Sequence, residues 1–167
     1  MAETIRTIEA TPAEWPDATT PTWAWQRIES WCSTRWTPRE VVWLIDGTGD
    51  WSPPLTPVRV TLMESWADAW MPSQDRQSPW GHVTLTGDMH RITAIVGEDN
   101  PAPPAVLEAA RRLMDHVTAM DRKPGFTSYS VNVGQITESW RRDAAGFALA
   151  MQQSGAADLL RPYRRAR

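Results

Sequence analysis

The chain has 167 residues, a formal net charge of −3, and 41% hydrophobic against 22% charged residues, the size and composition of one domain with a core of its own. Cys32 is the only cysteine, which excludes an internal disulfide framework and a four-cysteine zinc site, and a reducing cytoplasm is the expected place of maturation. No apolar run reaches the roughly 20 residues that a membrane span requires, and the acidic start MAETIRTIEA lacks the basic and apolar regions of a signal peptide, so a chain that is neither exported nor membrane-bound is expected.

Residues 1–21 carry Pro12, Pro16 and Pro21 among small and acidic residues without an apolar period, and read as an extended N-terminal arm. Thr20 is placed to cap a helix with Pro21 at its first position, where the missing N–H costs nothing. Trp25, Ile28, Trp31 and Cys32 then recur at near-helical spacing up to about Trp36. The β-branched and aromatic run EVVWLID, residues 40–46, predicts a buried strand, and DGTGD predicts a Gly-rich hairpin turn after it. SPPLTP, residues 52–57, is too rich in proline for a regular element. In residues 58–66, Val58, Val60 and Leu62 alternate with Arg59, Thr61 and Met63, the period of a strand with one buried face. HVTLT and RITAIV predict two more strands, separated by Gly87 and Asp88.

NPAPP, residues 100–104, breaks the sheet and opens the clearest helix, in which Val106, Ala110, Leu113, Val117 and Met120, flanked by Leu107 and Met114, form an apolar stripe opposite Glu108, Arg111, Arg112 and Asp115. Pro124-Gly125 stops it. TSYSVNV, residues 127–133, predicts a last strand or extended loop. A helix follows from about Ala144 to Gln153, with Phe147, Ala148 and Met151 on one side; Ser154-Gly155 interrupts it and AADLL adds a turn. This order predicts an α+β fold, a helical core with an inserted small antiparallel sheet. The expected divisions are the arm at 1–21, a domain at 22–155 whose β lobe spans about 40–97, and a C-terminal tail at 156–167.

Motifs for chemistry are scarce. His82, His90 and His116 have no HExxH or similar spacing and read as surface or edge histidines. DGTGD lacks the bidentate Glu of a calcium loop and the Lys-Ser/Thr ending of a P-loop. No GxSxG occurs, no histidine lies near Cys32, and Asp46 and Asp50 read as a solvated pair. The sequence therefore points to no catalytic residue, no metal and no cofactor, and a non-enzymatic role is expected.

Eleven tryptophans stand against two Phe and two Tyr, and sixteen of the seventeen basic residues are Arg, Lys123 being the exception. Trp buries a large area while keeping an N–H that needs a partner, so half-buried rings at interfaces are expected, although each ring taken singly fits a core equally well. Trp23, Trp25, Trp31, Trp43, Trp66 and Trp70 lie in a region without a basic excess, which disfavours a stacking platform for bases. The basic character is confined to the end: Arg161, Arg164, Arg165 and Arg167 close the chain, and residues 1–160 without them carry −7.

The order of features carries more than any one of them. IESWCSTRW passes into EVVWLIDG, PPLTPV leads the next strand, GHVTL and RITAIVG follow, PAPPAVLEAARRLMDHV opens the long helix, and GAADLLRPYRR closes the chain. Over roughly residues 24–167 this resembles the head-to-tail connector, or adaptor, family of long-tailed bacteriophages and gene transfer agents. The stretch 124–153 is longer than in the shorter members, and the N-terminal arm replaces their first helix or two.

The resemblance implies a structural protein of the virion neck, assembled in the host bacterial cytoplasm. It implies a homo-oligomeric ring, usually twelve-fold, beneath the portal protein, which extends the channel for genome DNA and offers head-closure or tail proteins a surface. It also implies that the C-terminal segment docks onto the portal, with Leu159, Leu160, Arg161, Tyr163, Arg164, Arg165 and Arg167 as the contact residues. Physically, paired leucines, a stiffening Pro162, a Tyr anchor and arginines that fork onto carboxylates suit such a dock, and a ring would repeat it with avidity; a frayed basic tail is the plain alternative. Trp66, Trp70 and Trp80 are expected contacts to neighbouring subunits or the tail side. Two alternatives are a head-closure or tail-terminator subunit, which would show more sheet, and a Trp-rich module for polysaccharide or nucleic acid.

Overall fold

A computed structural model describes residues 2–121, 128–133, 136–141 and 144–164, with side chains described outside 121–148. The elements in order are β1 (Glu3–Glu9), α1 (Thr22–Cys32), β2 (Arg39–Asp46), β3 (Gly49–Trp51), β4 (Val58–Trp66), β5 (Trp70–Pro72), β6 (Arg76–Gln77), β7 (Val83–Leu85), β8 (Met89–Val96), α2 (Pro104–Asp121), β9 (Ser128–Val133), β10 (Ile136–Arg141), α3 (Ala144–Gln153), α4 (Ala156–Leu160) and a 3-10 turn, Arg161–Tyr163. The fold is a mixed α+β one with antiparallel sheets that do not close into a barrel. The described chain divides into two compact units, one of residues 2–16 and 29–102, the other of residues 17–28 and 103–164.

The first unit is a two-sheet structure. Five strands run in the order β1-β2-β8-β4-β5, and three in the order β3-β7-β6. β2 buries Val41, Trp43 and Ile45 on alternate positions, and β8 buries Ile92, Ala94 and Val96 in the same way, as the pleat requires. These six pack with Trp51, Val83 and Leu85 of the smaller sheet and with Leu55 into one core, where the Trp43 and Trp51 rings meet edge to face at 5.4 Å.

Several details differ from the sequence expectations. Residues 3–9, within the expected arm, form the edge strand β1 on β2, where Thr4 takes a hydrogen bond from the Trp51 indole at 2.9 Å. DGTGD does not close a hairpin: β3 leaves β2 and pairs with β7 instead, and the positive φ of Gly47 and Gly49 lets the chain turn from one sheet into the other. β4 carries a bulge between Val60 and Leu62, which shifts the alternation by one residue. Met63 therefore packs on the core while Leu62 is 44% exposed. Thr20 does not cap α1. Its hydroxyl donates to Asp17 at 2.6 Å, and the Pro21 carbonyl accepts the first helical bonds from Ala24 and Trp25.

The second unit is helical with one hairpin. α2 buries Val106, Ala110, Leu113 and Val117 of the expected stripe and Ala109 besides, while Met114 and Met120 are half-buried and Leu107 faces outward. Ala150 and Met151 of α3, Ala156 and Leu160 of α4, and Ala24, Trp25 and Ile28 of α1 are also buried. Gly155, with φ of 72°, breaks α3 from α4. β9 coincides with the expected last strand, and its partner β10 was not anticipated; the expected apolar positions Phe147 and Ala148 lie outside the described side chains.

Candidate interaction surfaces

The C-terminal residues are anchored up to the point where their charge begins. Leu160 is completely buried and Leu159 half-buried, so Leu160 serves the core of its own chain rather than being presented to a partner. Arg161 and Arg164 are exposed and Tyr163 is half-buried, held in the 3-10 turn where the Arg164 N–H donates to the Arg161 carbonyl at 3.4 Å. Arg165 and Arg167 lie outside the described residues.

Two of the three singled-out tryptophans meet. Trp66 and Trp70 face each other across the β4–β5 turn, their rings edge to face at 5.2 Å. Trp66 is 50% exposed, and Met71 beside it 54%. The Arg91 guanidinium lies 4.6 Å over the Trp70 ring and grips Glu64 with two hydrogen bonds of 2.6 and 2.8 Å, which holds the Glu64 carboxyl below its usual range. This cluster is a rigid, amphipathic patch, apolar at the rim and charged beneath. Trp80 belongs elsewhere, on the Ser78–Gly81 turn between β6 and β7, and at 85% exposed it is the barest large hydrophobic side chain among the described residues.

Two polar clusters escaped the sequence reading. His90, read as a surface or edge residue, is fully buried; its Nδ1 meets Asp75 at 3.0 Å and its Nε2 the Gly87 carbonyl at 3.1 Å. The second is a quartet of Glu9, Glu29, Arg35 and Arg39. Arg39 reaches Glu29 at 2.7 Å and Glu9 at 3.2 Å, and Arg35 reaches Glu9 at 2.5 Å. Burial drives the Glu29 carboxyl upward more than Arg39 draws it down. Burial acts the same way on Glu9, but Arg35 and Arg39 together prevail and lower it. Nothing in the local sequence marks these residues, because they are spread over three separate segments and Arg39 and Glu9 meet across 30 positions.

Among the described residues no group of three or more His, Cys, Asp or Glu side chains is arranged to hold a metal, and no helix is long and apolar enough to cross a membrane. Cys32 is buried. The chain matches no protein-family model and no curated protein.

Proposed function

We propose that this chain is a structural connector subunit of the neck that joins the head of a long-tailed phage, or of a gene transfer agent, to its tail. In this reading copies form a ring beneath the portal protein, twelve-fold if it follows the resembled family, and genome DNA passes through the lumen without sequence-specific contact. The helical unit is the connector core, the sheet of residues 40–97 is its inserted lobe, and residues 156–167 are the docking segment.

The observation that carries the reading is the anchored basic terminus. A chain that is acidic over residues 1–160 ends on a turn whose Leu160 is fixed in the core while Arg161 and Arg164 face solvent. Arginine on a fixed base loses less conformational freedom when it forks onto a carboxylate than arginine on a loose tail, and a ring multiplies a modest contact. The exposed Trp66, Met71 and Trp80 supply the aromatic and Met-rich surface typical of protein contacts.

One observation favours a second neck role. The first unit holds a five-stranded and a three-stranded sheet, more sheet than a helical connector requires, which suits a head-closure or tail-terminator subunit. One experiment separates the readings: portal rings from the same genome are mixed with the full chain or with a chain ending at Leu160 and viewed by electron microscopy. An added ring below the portal, lost on truncation, supports the connector. Binding to tail tubes but not to portals supports the second role. A glycan or oligonucleotide that changes the Trp fluorescence of the isolated chain, with neither of those, would replace both by a binding module.

A further inference from the structure

We propose that the five-stranded sheet continues from one copy of this chain into the next, the β1 edge of one copy pairing with the β4 edge of its neighbour. The inference deepens the ring reading above and rests on it for closure of the ring, though not for the contact itself.

Both edges are open. β5 pairs only with Glu64, Ser65 and Trp66 of β4, so among the described residues no strand lies beside Val58–Leu62, and none lies outside β1. The flanking side chains are bare: Ile5 is 63%, Ile8 48% and Leu62 44% exposed. Unpaired edges of this kind are templates for another chain.

Strand direction selects the occupant. Every neighbouring pair from β1 through β2 and β8 to β4 is antiparallel, so β4 runs opposite to β1. A second copy in the same orientation therefore brings its β1 antiparallel to β4, and the alternation continues across the junction; an odd number of strands would have made that junction parallel.

Backbone polarity selects the register. The Ala10 N–H donates to Glu40, so by alternation Thr7 and Glu9 turn their N–H and C=O outward. The Gly97 N–H donates to Pro57, so Val58 and Val60 do the same on β4. Pairing Glu9 with Val58 and Thr7 with Val60 sets Ile8 beside Arg59 and Arg6 beside Thr61. That register brings together the two bulges, one between Thr4 and Arg6 and one between Val60 and Leu62. Bulges normally blunt an edge, but at the same level on facing strands they bend both together. A two-fold β1–β1 contact would leave every β4 edge open, whereas the head-to-tail contact uses both edges and repeats from copy to copy, giving a ring where its rotation closes.

The test is a disulfide. Ile8→Cys and Arg59→Cys chains are prepared separately, mixed and oxidised; the native Cys32 is buried and does not compete. The expected principal product is the mixed dimer, well above either variant alone, and a chain carrying both substitutions gives a ladder of linked oligomers. Thr7→Pro, which removes an outward N–H and none from the β1–β2 ladder, is expected to abolish the mixed dimer with an unchanged circular dichroism spectrum. Absence of the mixed disulfide, or an equal yield from Ile8→Cys alone, overturns the proposal, and this yield decides even if Thr7→Pro fails to fold. Portal binding without the disulfide removes the edge contact and leaves the neck reading; the ladder without portal binding does the reverse.

Discussion

His90 has no exposed surface, and its two ring nitrogens face the Asp75 carboxylate and the Gly87 carbonyl. The same carboxylate accepts hydrogen bonds from the Thr86 N–H at 2.8 Å and the Thr86 hydroxyl at 2.9 Å. Burial raises the Asp75 carboxyl, but hydrogen bonds from Ser73 and Thr86 and the His90 charge outweigh it and bring it below its usual value. The ionised form is thus favoured on folding, and its stabilisation is present above the unfolded value near about pH 4 and is lost as pH falls through the lowered one. Asp75→Asn, which replaces one acceptor oxygen by an NH2 and takes the charge out of this buried hydrogen-bonded site, is expected to lose about 1–3 kcal/mol at neutral pH and to flatten the acid limb, as measured by urea unfolding from pH 7 to pH 3. Gly97 offers a sharper case. Its φ is +76°, and a Cβ there would stand 2.3 Å from the Thr37 carbonyl oxygen. Gly97→Ala is expected to cost about 3 kcal/mol through strain and backbone displacement, seen as a lowered thermal midpoint.

At the scale of elements, the quartet of Glu9, Glu29, Arg35 and Arg39 ties β1, α1 and β2 at one point. Arg39→Met leaves Glu29 buried without its nearest cation and is expected to destabilise by about 3–5 kcal/mol, whereas Glu29→Leu combined with Arg39→Met recovers much of that loss. Because burial already raises Glu29, the Arg39→Met chain should regain stability on acidification towards pH 4, the opposite of the trend at Asp75. In α2, Leu113→Ala is expected to cost about 2–5 kcal/mol, since Leu113 is fully buried in the apolar stripe. That stripe and the alternation in β2 were legible because each is periodic within one element. The Leu62 side chain was not, since a one-residue bulge at Thr61 reverses the faces without any Gly or Pro to announce it. Nor was β1 legible: only two of its seven residues are even half-buried, so it has no apolar period, and its strand character comes from pairing with β2. The basic C-terminal residues were legible as a charge pattern, but the burial of Leu160 was not, because α4 packs on α2, which a hairpin and a further helix separate from it in the sequence.

At the scale of the whole molecule, surface and core are expected to separate experimentally. Trp66→Ala removes a half-exposed ring and should alter the unfolding free energy by less than about 1 kcal/mol, while ring formation on portals is lost. Equal loss of both would assign Trp66 to the fold alone. The order β1-β2-β8-β4-β5 also bears on how the chain comes into being. β8, the middle strand, joins β2 to β4, yet it is the last of the five to be synthesised. At translation speeds of about 5–20 residues per second, the emerging polypeptide holds the partners of two separate strand pairs, β1–β2 and β4–β5, and the strands of the smaller sheet, but not yet the five-stranded sheet. Only when residues 89–96 arrive do the halves join, so a ribosome stalled or a gene truncated ahead of Val96 yields two bare edges in place of a domain. The nascent chain is most vulnerable to mispairing in that interval.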